Sequence, residues 1–576
     1  MSSPSASRNA SPGTSPRRLG LWGAVVTGLG SMIGTGIFVC VVFASDLAGP
    51  QVLWAILLAA AVALANALST AQLAALYPME GGTYEYGYRL IGPQAGFLAG
   101  WLYICAKSAI AASAALAFAG YLLTLIDTGN RALLVMFAFI LVAGLSYLVY
   151  GGLARTMKFN LGIVSTTVLT LLFFIGAGLP KVIQGGLPDQ ATFIPGFYPK
   201  DVNPLLIGGS KPAGEAEAPL IKSVRAARSE KELAERERDR LREEQKKLAD
   251  ETEPVPPAGD FELPKTGSID LPKDEPLPEK RVLSLEERDQ GNPMETSLPG
   301  GAVQTSPDPG DTFTGDASRR PDPKGSPFML AAALMFVAFT GFGRIATLGE
   351  EVREPKRNIP LALILSIGLT SLLYLGVAAV YLVWLEPARA HLAGGSLAYL
   401  TAKNSAETAP LALIASVLPV PGASLIITVG AFTAMAGVLL NLIPSLSRMW
   451  MAMGRRRDMP EALTHLEGPQ FTPRLAVIVA GTAVALLTVL GDIRLAWSFG
   501  AFTVLLYYAT TTLAALRLPA EQRLVPPWVP AVGMAGCILL ASSVPPLIWG
   551  VGLGILFAGI AWQAMVNPPP KEETKK

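Results

Sequence analysis

The chain has 576 residues, of which 51% are hydrophobic and only 16% charged, with a mean hydropathy of +0.42 and a formal net charge of +2. An average soluble protein is about 25% charged, and nearly half of the Lys and Arg here lie between residues 187 and 324. What remains is more apolar than a soluble core requires, which excludes an ordinary soluble enzyme or nucleic-acid-binding protein and makes a lipid bilayer its natural partner.

In chain order, residues 1–18 are Ser- and Pro-rich and lack an apolar signal-peptide core; they read as a disordered cytoplasmic tail. Twelve candidate spans follow, at 19–47, 51–77, 93–126, 130–150, 158–184, 328–350, 358–386, 423–453, 473–490, 493–517, 527–545 and 547–566. Only Pro545 and Pro546 separate the last two. An apolar stretch at 410–420 reads as a short interfacial helix. Residues 567–576 are a second cytoplasmic tail. The three cysteines, Cys40, Cys105 and Cys537, each lie in an apolar run and read as small apolar fillers.

The basic loop residues alternate. With the N-terminus inside, inner loops carry Arg17, Arg18, Arg89, Arg155, Lys158, Arg353, Lys356, Arg357, Arg455, Arg456, Arg457, Arg517 and Arg523. The short outer loops carry Arg131, Arg389 and Lys403. This positive-inside bias places both termini in the cytoplasm and residues 185–327 outside. That insertion splits into an irregular part, a charged helix at 218–250 with Glu232→Arg236 and Glu243→Lys247 four residues apart, and a disordered part at 251–327. Its protein partner, if it has one, is not legible.

The first span contains GLGSMIGTGIF, with Gly28, Gly30, Gly34 and Gly36 inside a membrane helix. Each interior glycine costs about 1 kcal/mol relative to alanine, so the cluster predicts a break. A break in a membrane is tolerated where protein or a watery cavity satisfies the backbone. The half-helix restarting near Thr35 offers N–H groups and a positive dipole end to a carboxylate. The half-helix before it ends in carbonyls that suit an ammonium. An α-amino acid carries both groups. The sixth span repeats the feature, with Thr340, Gly341 and Gly343 interrupting an apolar run. Two broken helices, each opening a block of five spans, point to an inverted-repeat transporter with a midplane site.

Four stretches then show a resemblance: GSMIGTGIF (30–38), YPMEGGTYEYGYRLIGPQAGFLAGW (77–101), AFTGFGRIATLGEEVREPKRNIPLAL (338–363) and SRMWMAMGRRRDMP (447–460). Together they resemble the amino acid–polyamine–organocation (APC) transporters. The resemblance implies an all-α membrane fold: a five-plus-five inverted repeat over 19–184 and 328–517, with broken helices 1 and 6, and two further helices in 518–566. It implies that the amides of Gly34, Thr35 and Gly36 hold the substrate carboxylate. It implies that carbonyls at Met32 and Ile33 and over Val337, Ala338, Phe339, Thr340 and Gly341 hold the amino group. Tyr103 matches an aromatic that helps to close the site. The lysine that some proton-coupled relatives carry in the fifth span is replaced by Ser165, Thr166 and Thr167.

Two basic residues fall deep in spans, Lys107 and Arg344, and buried charge in a membrane is a functional hypothesis by default. With Asn441 in the eighth span they are the coupling or gating candidates, the alternatives being packing and static hydrogen bonds. Two positive charges near the site favour neutral or acidic amino acids over cationic ones. His391 and His465 fall in loops, and the spans hold no metal-ligand cluster, no nucleophile–base pair and no nucleotide loop. The expectation is a secondary transporter, not an enzyme, without cofactor or metal, and with a proton or sodium ion as possible coupling partner. A sensor that binds an amino acid on the same fold is the competing reading.

Overall fold

A segment in lipid must satisfy its own backbone hydrogen bonds, and each long apolar run accordingly forms a helix. The computed structural model describes residues 20–77, 81–126, 130–151, 154–188, 326–347, 352–393, 409–467, 472–489 and 492–566, all within one compact unit. The expected tails, the charged helix at 218–250 and almost all of the expected disordered stretch at 251–327 lie outside the described residues.

α1 (Leu21–Met32) and α2 (Val41–Ala48) are halves of the first span, joined through a π-helical turn at Gly36–Cys40. Gly49 adopts φ +56 and is followed by Pro50, which ends one helix and starts the next. Then come α3 (Val52–Leu76), the short connector α4 (Thr83–Leu90), α5 (Pro93–Leu125), α6 (Arg131–Tyr150) and α7 (Ala154–Gly185). The second half opens with α8 (Pro327–Phe339), a tight turn at Thr340–Phe342 and α9 (Gly343–Thr347). It continues with α10 (Pro355–Ala393), α11 (Pro410–Ser416), α12 (Ala423–Arg455), α13 (Arg474–Thr488), α14 (Ile493–Leu516), α15 (Trp528–Ser542) and α16 (Pro546–Val566).

Nine stretches among the described residues are long and apolar enough to cross a membrane; Leu21–Met32, Arg474–Thr488 and Trp528–Ser542 are shorter apolar helices. One of the nine, Gly36–Leu76, has 41 residues. As a straight helix it would run about 60 Å, twice the hydrocarbon thickness, and Gly49 divides it. α15 and α16 part at the expected proline pair, with Pro546 at the first helical position, where no N–H is needed.

Burial sorts the helices. The most apolar windows of α5 and of Pro327–Ile345 are 78% and 72% buried, against 22% for α6 and 17% for α16. α5 and α8 therefore form the centre. α6 and α16 present Phe139, Ile140 and Phe557 outward, a surface that only lipid or another membrane helix would cover. α5 packs on α12 and α14, and α8 on α3 and α2, while α1 lies on α10.

The helix expected in 410–420 forms as α11, and protein encloses it. Pro410 through Ala415 are all buried, and the helix packs on α12 and α10 and touches the π-turn of the first span. Six consecutive buried residues need protein on every side of the helix.

A candidate substrate site at the two helix breaks

α1 stops because Ile33 turns extended, at φ −81 and ψ 108, with its N–H on the Leu29 carbonyl. The chain restarts when the Ile37 and Phe38 amides bond the Gly34 carbonyl at 3.1 and 3.3 Å, and Val41 N–H reaches Gly36 O five residues back. The amides of Gly34, Thr35 and Gly36 thus occupy the first turn of a new helix, where a helix cannot satisfy its own donors. Thr35 is 2% exposed, and its hydroxyl has no hydrogen-bond partner among the described residues. A buried hydroxyl without a partner at a helix start is suited to a polar ligand.

The second break sits against the first, backbone to backbone. A Cβ on Gly341 would stand 2.2 Å from the Ser31 carbonyl oxygen and 2.6 Å from the Met32 nitrogen. A Cβ on Gly36 would stand 2.5 Å from Ala338 Cβ and 3.2 Å from the Tyr374 hydroxyl. Ser31 thus meets Gly341, and Gly36 meets Ala338; as one chain advances the other retreats. Gly34 is pressed on Val438 of α12, whose Cγ2 lies 2.1 Å from a Cβ position. Gly28 instead lies inside α1 as a packing notch against Ile345 and Ser366, so only part of the glycine cluster makes the break.

Four of the expected carbonyls, at Met32, Val337, Ala338 and Thr340, already serve side-chain donors. The Tyr374 hydroxyl lies 2.8 Å from Met32 O and 3.1 Å from Ala338 O. Thr340 Oγ1 donates to Val337 O at 2.7 Å, and the Tyr508 hydroxyl to Thr340 O at 3.2 Å. Tyr121 from α5 donates to Phe38 O, and Trp497 from α14 to Leu334 O, both at 3.1 Å. Cys40 Sγ also reaches Leu334 O at 3.3 Å, so this cysteine is more than a filler. The Phe339 ring packs 5.1 Å from that of Tyr374. Each carbonyl has two lone pairs, so a ligand ammonium can join these bonds or displace them. Tyr374, Tyr508 and Tyr121 escaped the sequence reading; the available signal was that a buried tyrosine hydroxyl needs a partner.

Tyr103 of α5 shares a hydrogen bond with Ser445 of α12 and packs 5.3 Å from the Tyr507 ring. Asn441 is buried four residues before Ser445, on the same face of α12. Lys107 is buried one turn beyond Tyr103. Its Nζ donates to Thr340 Oγ1 at 3.2 Å and lies 6.0 Å from the Tyr103 ring. Burying an ammonium costs several kcal/mol. A charged hydrogen bond returns about 1.5–3 kcal/mol and a ring contact about 0.5–2 kcal/mol. Arg344 opens the helical turn after the break and is half-buried.

At one end of the bundle, two further motif stretches meet. Arg456 grips Glu85 of α4 through Nε at 2.9 Å and a second nitrogen, and lies 4.5 Å over the Tyr88 ring. The Tyr84 and Tyr88 hydroxyls donate to Asp458 at 2.7 and 2.6 Å, and Trp562 of α16 to its carbonyl at 3.0 Å. Burial, and next the Asp458 bond, push both phenols above the ordinary tyrosine value.

Residues 19–209 match a family model described as amino acid permease, and residues 296–517 match a second with the same description. An uncharacterized transporter of Mycobacterium tuberculosis is 29% identical over 95% of this chain and 90% of its own length. A branched-chain amino acid permease of Bacillus subtilis is 28% identical over 28% of this chain and 38% of its own. The Asc-type amino acid transporter 1 of Mus musculus is 24% identical over 39% and 41%. With these matches, and with a bundle of membrane-length helices around two paired breaks, the chain belongs to the amino acid permeases of the APC superfamily.

Proposed function

We propose that the protein is a secondary transporter that carries an amino acid across the cytoplasmic membrane by alternating access. The observation that carries this reading is the reciprocal approach of the two breaks, Ser31 to Gly341 and Gly36 to Ala338. Segments related by inversion pair in opposite directions in this way, which supports a five-plus-five repeat with the substrate between its first helices. The substrate carboxylate sits on the Gly34, Thr35 and Gly36 amides with the Thr35 hydroxyl beside it. Its ammonium shares the carbonyls of Met32, Ile33 and the Val337–Gly341 stretch with Tyr374. Tyr103 closes one side. Arg344 and Asn441 are the gating candidates, both termini are cytoplasmic, and residues 185–327 lie outside.

The test is uptake of a radiolabelled amino-acid panel into proteoliposomes with imposed sodium and proton gradients. Uptake driven by one gradient identifies a symporter and its ion; uptake needing only internal amino acid identifies an exchanger. Specific binding without counter-flow of any amino acid would make the protein a sensor and refute this reading.

A further inference from the structure

We propose that Lys107 pairs with a second carboxylate on the substrate, so that the site selects acidic amino acids; this rests on the amino acid reading above. Lys107 Nζ lies on Thr340 Oγ1. Thr340 adjoins Gly341, whose Cα is pressed on the Ser31 backbone. The amine is therefore at the crossing of the two breaks, on the α8 side. The Thr340 hydroxyl proton is committed to Val337 O, so its oxygen can only accept and the lysine must donate. An ammonium has three donors. Two of them have no acceptor among the described residues.

No carboxylate of the described chain serves this charge. Asp46 accepts from Tyr381 at 2.7 Å, Glu85 is gripped by Arg456, and Asp458 accepts from Tyr84 and Tyr88. For a substrate with one carboxylate, the first-turn amides already provide the anion site and Lys107 is left facing its side chain. An alkyl side chain would bury the cation against hydrocarbon, and a cationic one would be repelled. A side-chain carboxylate supplies both the charge and the two acceptors that are lacking.

The experiment is counter-flow by the purified full-length protein in liposomes, with L-glutamate, L-aspartate, L-glutamine, L-asparagine, L-leucine and L-arginine as the probes. The wild type is expected to prefer the two acids over their amides at least tenfold. Lys107→Gln should bring that ratio to parity or below, and Lys107→Arg should restore part of it. Wild-type preference for amides or leucine would overturn the inference, as would an acid preference that survives in Lys107→Gln. Carriage of neutral amino acids alone would overturn this proposal and leave the transporter standing. Inertness toward all six, with no other amino acid carried, would remove both.

Discussion

The α-carbon of Gly341 rests on the carbonyl of Ser31 so closely that an added methyl would stand 2.2 Å from the oxygen. Both partners are backbone, so neither can rotate away. Gly341→Ala must push the two broken helices apart. Overpacking costs about 1–3 kcal/mol even where side chains can adjust, so this variant should lose at least that much stability and nearly all uptake. Gly176→Ala, in α7 with open space around it, should be neutral or stabilise by about 0.5–1 kcal/mol. Thermal unfolding in detergent beside uptake checks both.

Tyr374 holds Met32 O and Ala338 O with one proton between them. Tyr374→Phe keeps the ring and leaves two buried carbonyls short of a donor, at a cost of about 1–3 kcal/mol. In the substrate-free protein the melting temperature should fall by several degrees. Saturating substrate should narrow that gap, because an ammonium takes over the same acceptors. A gap of unchanged size would mean that substrate and tyrosine do not share them.

Asp458 is 1% exposed and accepts from two tyrosines. Asp458→Ala should destabilise by about 2–4 kcal/mol, since each buried donor left unmet costs about 1–3 kcal/mol. Asp458→Asn keeps an accepting oxygen and should cost less than half as much. The Glu85–Arg456 pair is bidentate but its arginine is 36% exposed, so solvent screening limits it. A double-mutant cycle with Glu85→Gln and Arg456→Gln should give a coupling of about 1 kcal/mol.

The residues that make the two breaks and the side chains that hold them all fall outside 200–320 in the sequence. Deleting them should leave amino-acid uptake within about twofold of wild type in a correctly inserted protein, a change of under 0.5 kcal/mol. Loss of uptake would make the insertion part of the transport machinery.

The helices were legible because lipid imposes length and apolarity locally. The spans expected at 51–77 and 93–126 are Val52–Leu76 and Pro93–Leu125. The break at Gly34–Gly36 was legible because four glycines in a helix need a reason. What holds the break was not. Tyr374 and Tyr121 are single aromatics in apolar runs, and only the packing of α10 and α5 against the first span shows which carbonyls they serve. The same holds for Glu85 and Arg456, which stand 371 residues apart. The stretch at 410–420 has the composition of an interfacial helix. Nothing in its own residues says that α12 and α10 will enclose it.

The most direct test of the central claim is substrate binding and counter-flow by wild type and Gly36→Leu side by side, in liposomes with equal inserted protein. A leucine at position 36 would collide with Ala338 and approach the Tyr374 hydroxyl, forcing the two breaks out of register. The account predicts that Gly36→Leu inserts normally and loses both amino-acid binding and counter-flow. Wild-type-like counter-flow by Gly36→Leu would contradict it and place the substrate elsewhere.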